Sequence, residues 1–232
     1  VAPEIALLRH QTLPGMRHRY CHTSLTMPRF LAHLFSTFGH PMLVPTYALL
    51  LLLFANPYSF GVHSPGDKKA LLLLLYVFTT TALIPGIGIA VMKPLGFVRS
   101  LESPDRQERI GPYIVTGVFY LWLYQNLKSG GQAPPLYQAC VLGATIALFA
   151  AFFINIFTKV SAHATGMGEL VGMFLLLTIE WPGSTLGVPV PGGLLEISLP
   201  VALAAGVVVA GCVGTARLVL KAHVLRDLWQ GY

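Results

Sequence analysis

Residues 194–227 read LLEISLPVALAAGVVVAGCVGTARLVLKAHVLRD, an apolar run that gives way at its end to Arg217, Lys221, His223, Arg226 and Asp227. The run over 194–220 is long enough for a helix to cross the ~30 Å hydrocarbon layer of a bilayer. The polar residues then emerge at the interface with the spacing R-x5-H-x3-D. In a helix a four-residue step turns only about 40° round the axis, so the spacing predicts Asp227 on the face of His223, holding its imidazole in one tautomer. Arg217 supplies a permanent cation for an anionic oxygen. These residue types suit phosphoryl transfer: imidazole attacks phosphorus, a carboxylate stabilises the charged ring, and guanidinium donors hold the developing oxyanion. The plainer account is a helix end where basic side chains meet lipid headgroups and His223 is incidental.

The rest of the chain has the same character. Hydrophobic residues make up 54% of 232 positions and charged residues 10%, with a mean hydropathy of +0.67. That balance predicts an all-α integral membrane protein with several spans rather than one water-surrounded core. The net charge of +6 is spread between apolar runs instead of forming one stripe, which argues against nucleic acid and for anionic headgroups and a phosphate-bearing substrate. Cys21, Cys140 and Cys212 have no paired spacing, so neither a disulfide framework nor a zinc site is indicated. No Walker-type glycine loop or HExxH occurs, and no metal or cofactor is expected.

Apolar length divides the chain into six spans, near 38–56, 70–92, 110–127, 136–158, 165–181 and 194–220, each close to the ~20 residues a crossing needs. Pro41, Pro45, Pro85 and Gly88 fall inside spans, where they predict kinks rather than breaks. The Gly- and Pro-rich stretch 182–193 reads as a turn-forming connection. Residues 1–29 lack the pattern of a cleaved leader and read as a cytosolic or interfacial arm, leaving 30–232 as the membrane domain. The arm, the even-numbered connections and the tail carry twelve Lys and Arg, whereas the other side has Lys68, Lys69 and Lys128. Setting aside those reserved below for phosphate leaves seven against three. Either count places the termini in the cytoplasm, and a bacterial inner membrane is the expected location.

An even number of spans has a consequence for chemistry. The polar clusters at 99–109, 159–168 and 217–227 follow the second, fourth and sixth spans, so all three emerge at one membrane face and can share a site. In the middle cluster, KVSAHATGMG from Lys159, Ser161 can donate to a phosphoryl oxygen, Lys159 can neutralise one, and His163 can protonate a leaving alkoxide. In the first, Arg99, Arg106 and Arg109 are candidate phosphate ligands, with Asp105 and Glu108 expected to pair with neighbouring arginines. Asn155 and Glu169 are costly in lipid and are expected to face the bundle interior. His40 beside Pro41 reads as a helix entry.

Taken together the motifs resemble those of the type-2 phosphatidic acid phosphatases, the lipid phosphate phosphatases related to vanadium haloperoxidases. That family carries K-x6-R-P, P-S-G-H and S-R-x5-H-x3-D. Here the third motif is matched by Ala216-Arg217, His223 and Asp227, and the second by Val160-Ser161-Ala162-His163. The first is matched by the spacing of Arg99 and Arg106, with Arg109 as a competitor for the role. Family members usually carry a further membrane helix beyond the third motif. The resemblance implies that His223 is the nucleophile, Asp227 its orienting partner, His163 the general acid, and Ser161 and Arg217 phosphate ligands, without a metal.

The expected function is therefore hydrolysis of a membrane lipid phosphate or diphosphate, of the phosphatidic acid, phosphatidylglycerol phosphate or polyprenyl diphosphate class, through a phosphohistidine. The alternative is a non-catalytic relative acting as a membrane subunit or lipid-binding scaffold of a larger complex.

Overall fold

Runs of about twenty apolar residues become helices along the whole chain, since a helix satisfies its backbone without help from solvent. The computed structural model describes residues 27–100 and 105–232. Most of the expected arm, with Arg9, Arg17, Arg19 and Cys21, lies outside the described residues. Of the described residues 73% are helical. Its elements are α1 (Arg29–Phe38), α2 (Val44–Ala55), α3 (Lys68–Phe78), α4 (Ile84–Met92), α5 (Ile110–Gly130), α6 (Pro135–Phe157), α7 (Ala162–Glu180), α8 (Leu199–Val219) and a short α9 (Leu225–Trp229).

Among the described residues four helices are long and apolar enough to cross a membrane: Lys68–Met92, which unites α3 and α4, then α6, α7 and α8. Arg29–Phe38 with Pro41–Ala55 would make a fifth, bent by 41°. The remaining expected span, the third, is α5, whose 21 residues include Tyr113, Tyr120, Tyr124, Gln125 and Asn126 and are less apolar. Leu72, Leu75, Ile87, Trp122, Phe153, Ile179 and Val208 point outward, a surface compatible with lipid.

The prolines act differently at two places. Pro85 has no N–H to give and its ring crowds the carbonyl four residues back, and a single wide π turn at Thr79–Leu83 absorbs this without ending the helix. Thr80 and Thr81 donate their hydroxyls to the carbonyls of Tyr76 and Val77 at 2.8 and 2.9 Å. At Pro41 the helix does break. Gly39 and His40 leave helical geometry, and a 3-10 turn, Pro41–Leu43, restarts the chain into α2. The helix therefore begins at Arg29, well ahead of the expected span 38–56, and the end of the expected arm belongs to the bundle.

The connection expected over 182–193 corrects the all-helical reading in part. Thr185–Val190 and Gly193–Ser198 pair as an antiparallel hairpin, Thr185 opposite Ser198 and Val190 opposite Gly193. The β-branched and apolar residues either side of Gly192 and Gly193, both at positive φ, make the strands, and the last helix starts at Leu199 instead of 194.

The core lies among α2, α3, α5, α6, α7 and α8, around Leu49, Leu52, Leu123, Leu127, Tyr137, Met167 and Leu177. Tyr137 is fully buried and donates its hydroxyl to the Pro45 carbonyl at 3.0 Å. Close approach of α7 to the 3-10 turn needs a glycine, because a Cβ on Gly166 would sit 2.9 Å from Pro41 Cα and 3.2 Å from Val44 Cγ2. Gly172, on the same helix, faces open space. Gly166→Ala is expected to lower stability by about 1–3 kcal/mol, and Gly172→Ala to leave it within about 0.5 kcal/mol or raise it, read by thermal unfolding in detergent micelles.

Candidate active site

The site is assembled where helices end. α8 carries Arg217 in its last turn and stops at Val219. The chain reverses through Lys221, which takes the left-handed conformation at φ 55°, while Lys221 and Ala222 return their N–H groups to the carbonyls of Leu218 and Arg217 at 2.9 and 3.1 Å. A lysine there is unfavourable by about 1 kcal/mol relative to glycine. Lys159 ties the turn from outside, its Nζ donating to the Ala222 carbonyl at 2.9 Å.

His223 follows, outside any helix, and α9 begins two residues later. The expected helical face shared by His223 and Asp227 therefore does not exist. The pair forms by another route: Asp227 lies in the first turn of α9, where its Oδ2 accepts from the Val224 N–H at 3.4 Å and meets His223 Nδ1 at 3.0 Å. A carboxylate only accepts, so Nδ1 carries the proton and Nε2 keeps its lone pair. Both residues are buried, 7% and 8% exposed. Burial, then the nearby Arg109, Arg217 and Lys159, push the His223 pKa down to about 4 against the upward pull of the Asp227 hydrogen bond. At neutral pH the ring is uncharged.

The second cluster meets the third through the backbone, the Ser161 N–H donating to the Asp227 carbonyl at 3.1 Å. Ser161 caps α7, its Oγ accepting from the Ala164 N–H at 3.3 Å, and a capping serine at a helix start is the common solution for an orphan donor. His163 is the second residue of α7. Its Nε2 lies 3.1 Å from the Ser36 carbonyl, which can only accept, so Nε2 holds a proton and Nδ1 is the nitrogen left for proton transfer. Arg217 reaches the same residue, donating to Ser36 Oγ at 2.7 Å.

The first cluster is bound to the end of α6. Arg106 donates to the Phe157 carbonyl at 2.6 Å, Arg109 to the Val160 carbonyl at 2.8 Å, and Asn155 from its Nδ2 to the Arg106 carbonyl at 2.8 Å. Asn155 is buried at the interior, as expected of an amide in a span.

A cavity of about 350 Å3 brings together His40, His163, His223, Arg109 and Arg217, with Tyr113, Thr116 and Tyr120 on its wall. It adjoins a larger cavity of about 1040 Å3 whose lining includes Phe78, Leu83 and Ile87 as well as Arg29, His33, Ser36, Lys159 and Lys221. His40, His163 and Arg217 border both. Asp227 stands behind His223 and Lys159 lines the larger cavity. Three expected phosphate ligands stand outside both. Ser161 is fully buried as a cap, Arg99 is exposed and paired with Glu108 at 3.6 Å, and Arg106 is exposed at its carbonyl. Glu169 also lies outside the two linings. Among the described residues no group of three or more His, Cys, Asp or Glu side chains is placed to hold a metal ion.

Sequence reasoning missed Ser36 and the place of His40 in the cavity wall. Arg29, His33, Ser36 and His40 recur at steps of four, three and four, a polar stripe on one helical face. That stripe was the available signal.

No protein-family model matches the chain, and neither curated proteins nor solved structures give a match.

In the unfolded chain a histidine binds its proton near pH 6.5, and in the fold His223 does so only near 4. Between these values the unfolded state holds more protons, so this residue's contribution to stability is full above pH 6.5 and is lost as pH falls toward 4. NMR titration of histidine-labelled protein is expected to give a His223 midpoint near 4, and Asp227→Asn, which removes the upward pull, is expected to move it lower. A midpoint near 6.5 would contradict the burial.

Proposed function

We propose that the chain is a divergent type-2 phosphatidic acid phosphatase: a six-span membrane enzyme, with α5 as its third span, that hydrolyses a lipid phosphate or diphosphate without a metal. The carrying observation is the shared cavity. His223, braced by Asp227, stands in it with His163, Arg109 and Arg217, so that one nucleophile, one proton carrier and two cations border a space that admits a phosphate group. The lysine and arginine asymmetry favours a cytoplasmic face for this site, in a bacterial inner membrane. Phosphatidic acid, phosphatidylglycerol phosphate and polyprenyl diphosphate are the candidate substrates, their tails left in lipid.

The chemistry runs in two displacements. His223 Nε2 attacks phosphorus and the bond to the lipid oxygen breaks, leaving a phosphoryl group on nitrogen and a positive ring stabilised by Asp227. His163 keeps Nε2–H on the Ser36 carbonyl, takes a proton from the bound phosphate group onto Nδ1, and gives it to the departing alkoxide. It then takes a proton from water. The hydroxide so formed attacks phosphorus, the P–N bond breaks, and phosphate leaves with His223 restored. Arg217 and Arg109 stabilise the charge that gathers on the equatorial oxygens.

Purified protein in detergent micelles is expected to release phosphate from at least one of these lipids. His223→Ala should reduce the rate by at least about a thousandfold, and His163→Ala by about a hundred- to ten-thousandfold. Unchanged turnover in His223→Ala would sink the proposal. Failure of every lipid phosphate, with partner proteins retained through purification, would favour the non-catalytic scaffold instead.

A further inference from the structure

The joint between α1 and α2 carries a third imidazole at the site, outside the three motifs. His40 borders both cavities together with His163 and Arg217. Its ring meets the ring of His163 edge to face, centroids 5.2 Å apart with the planes at 76°. Its Nδ1 accepts the Met42 N–H at 3.4 Å. An accepting Nδ1 must be unprotonated, so the ring's proton sits on Nε2. The backbone holds this arrangement, since His40 caps the 3-10 turn and Pro41 fixes the φ of the next residue. α1 is committed to the site by a second residue, Ser36, which receives both His163 and Arg217.

We propose that His40 is a further substrate-binding residue, donating Nε2–H to a phosphoryl oxygen while its ring edge sets the plane of His163. The assignment rests on the phosphatase reading above. A neutral donor on a fixed joint complements Arg217 and Arg109, because it adds a directed hydrogen bond without a further like charge beside them. It also links the two cavities, since His40 borders the one that holds His223 and the larger one beside it.

The test uses inorganic phosphate as the probe, with binding to the full chain in micelles read by 31P NMR independently of turnover. His40→Phe keeps a ring against His163 and removes the donor, whereas His40→Gln restores an N–H at similar reach. His40→Phe is expected to weaken phosphate binding by about ten- to a hundredfold and to raise KM for a lipid phosphate. His40→Gln is expected to recover most of the loss, with both variants unfolding at the wild-type temperature. Phosphate binding by His40→Phe within about twofold of wild type, or a Gln variant no tighter than Phe, would overturn the assignment. Arg217→Ala separates the two levels. If wild type binds phosphate and Arg217→Ala does not while His40→Phe does, the His40 assignment alone fails. If wild type binds none, the phosphatase reading fails and takes this inference with it.

Discussion

Carbonyl groups at helix ends organise this molecule. A helix leaves its last carbonyls without internal partners, and where such ends are packed against other helices each carbonyl must find a donor or remain unsatisfied at a cost of about 1–3 kcal/mol. Here the donors are the cationic and imidazole side chains of the site. Arg106 serves Phe157 and His163 serves Ser36 in the last turns of α6 and α1, while Arg109 serves Val160 and Lys159 serves Ala222 in the loops just past α6 and α8. Each bond joins segments far apart in sequence. Arg109, Lys159 and His163 thus both line the cavities and close the bundle at one end.

That double duty explains how a site of this kind forms from loops without long ordered elements. The turn after α8 is five residues from Leu220 to Val224 and contains a lysine in a conformation glycine would prefer. Lys159 holds its carbonyl, Asp227 holds its far end through the Val224 N–H, and the Ser161 N–H holds Asp227 itself. Gly231 then lets the end of the chain lie against α7, where a Cβ would stand 2.7 Å from both Ala164 Cβ and the Ser161 carbonyl. His223 is fixed by its surroundings more than by its own helix.

Much of this was legible in the residues, and the limits have physical causes. The apolar runs that become α3 with α4, α6, α7 and α8 announce themselves by length, as does the pairing of His223 with Asp227 by type and spacing. The route of that pairing was not legible. A four-residue step suits a helical face, yet it equally suits a residue before a helix start and a carboxylate in its first turn, and sequence does not separate the two. α1 was hidden because its apolar and polar residues alternate at helical steps, so that a test of apolar length passes over it. The hairpin was hidden by its glycines and prolines, which signal turns whether or not strands flank them. Ser161 reads as a phosphate donor by motif and as a helix cap by position. In the fold its Oγ takes the Ala164 N–H.

The electrostatics of the site follow from where these side chains were obliged to go. Arg109, Arg217 and Lys159 act together to disfavour a proton on His223, and burial acts in the same direction. Asp227 opposes them, and it does so through Nδ1 alone, so the carboxylate orients the ring without charging it. A histidine in water near pH 6.5 would be divided between a nucleophile and a cation. In this surround the division is removed, and the lone pair on Nε2 is present throughout the neutral range. Cations that disfavour a positive ring also favour an anionic neighbour, so the surroundings that keep His223 neutral are surroundings in which a negative charge is less costly than a positive one.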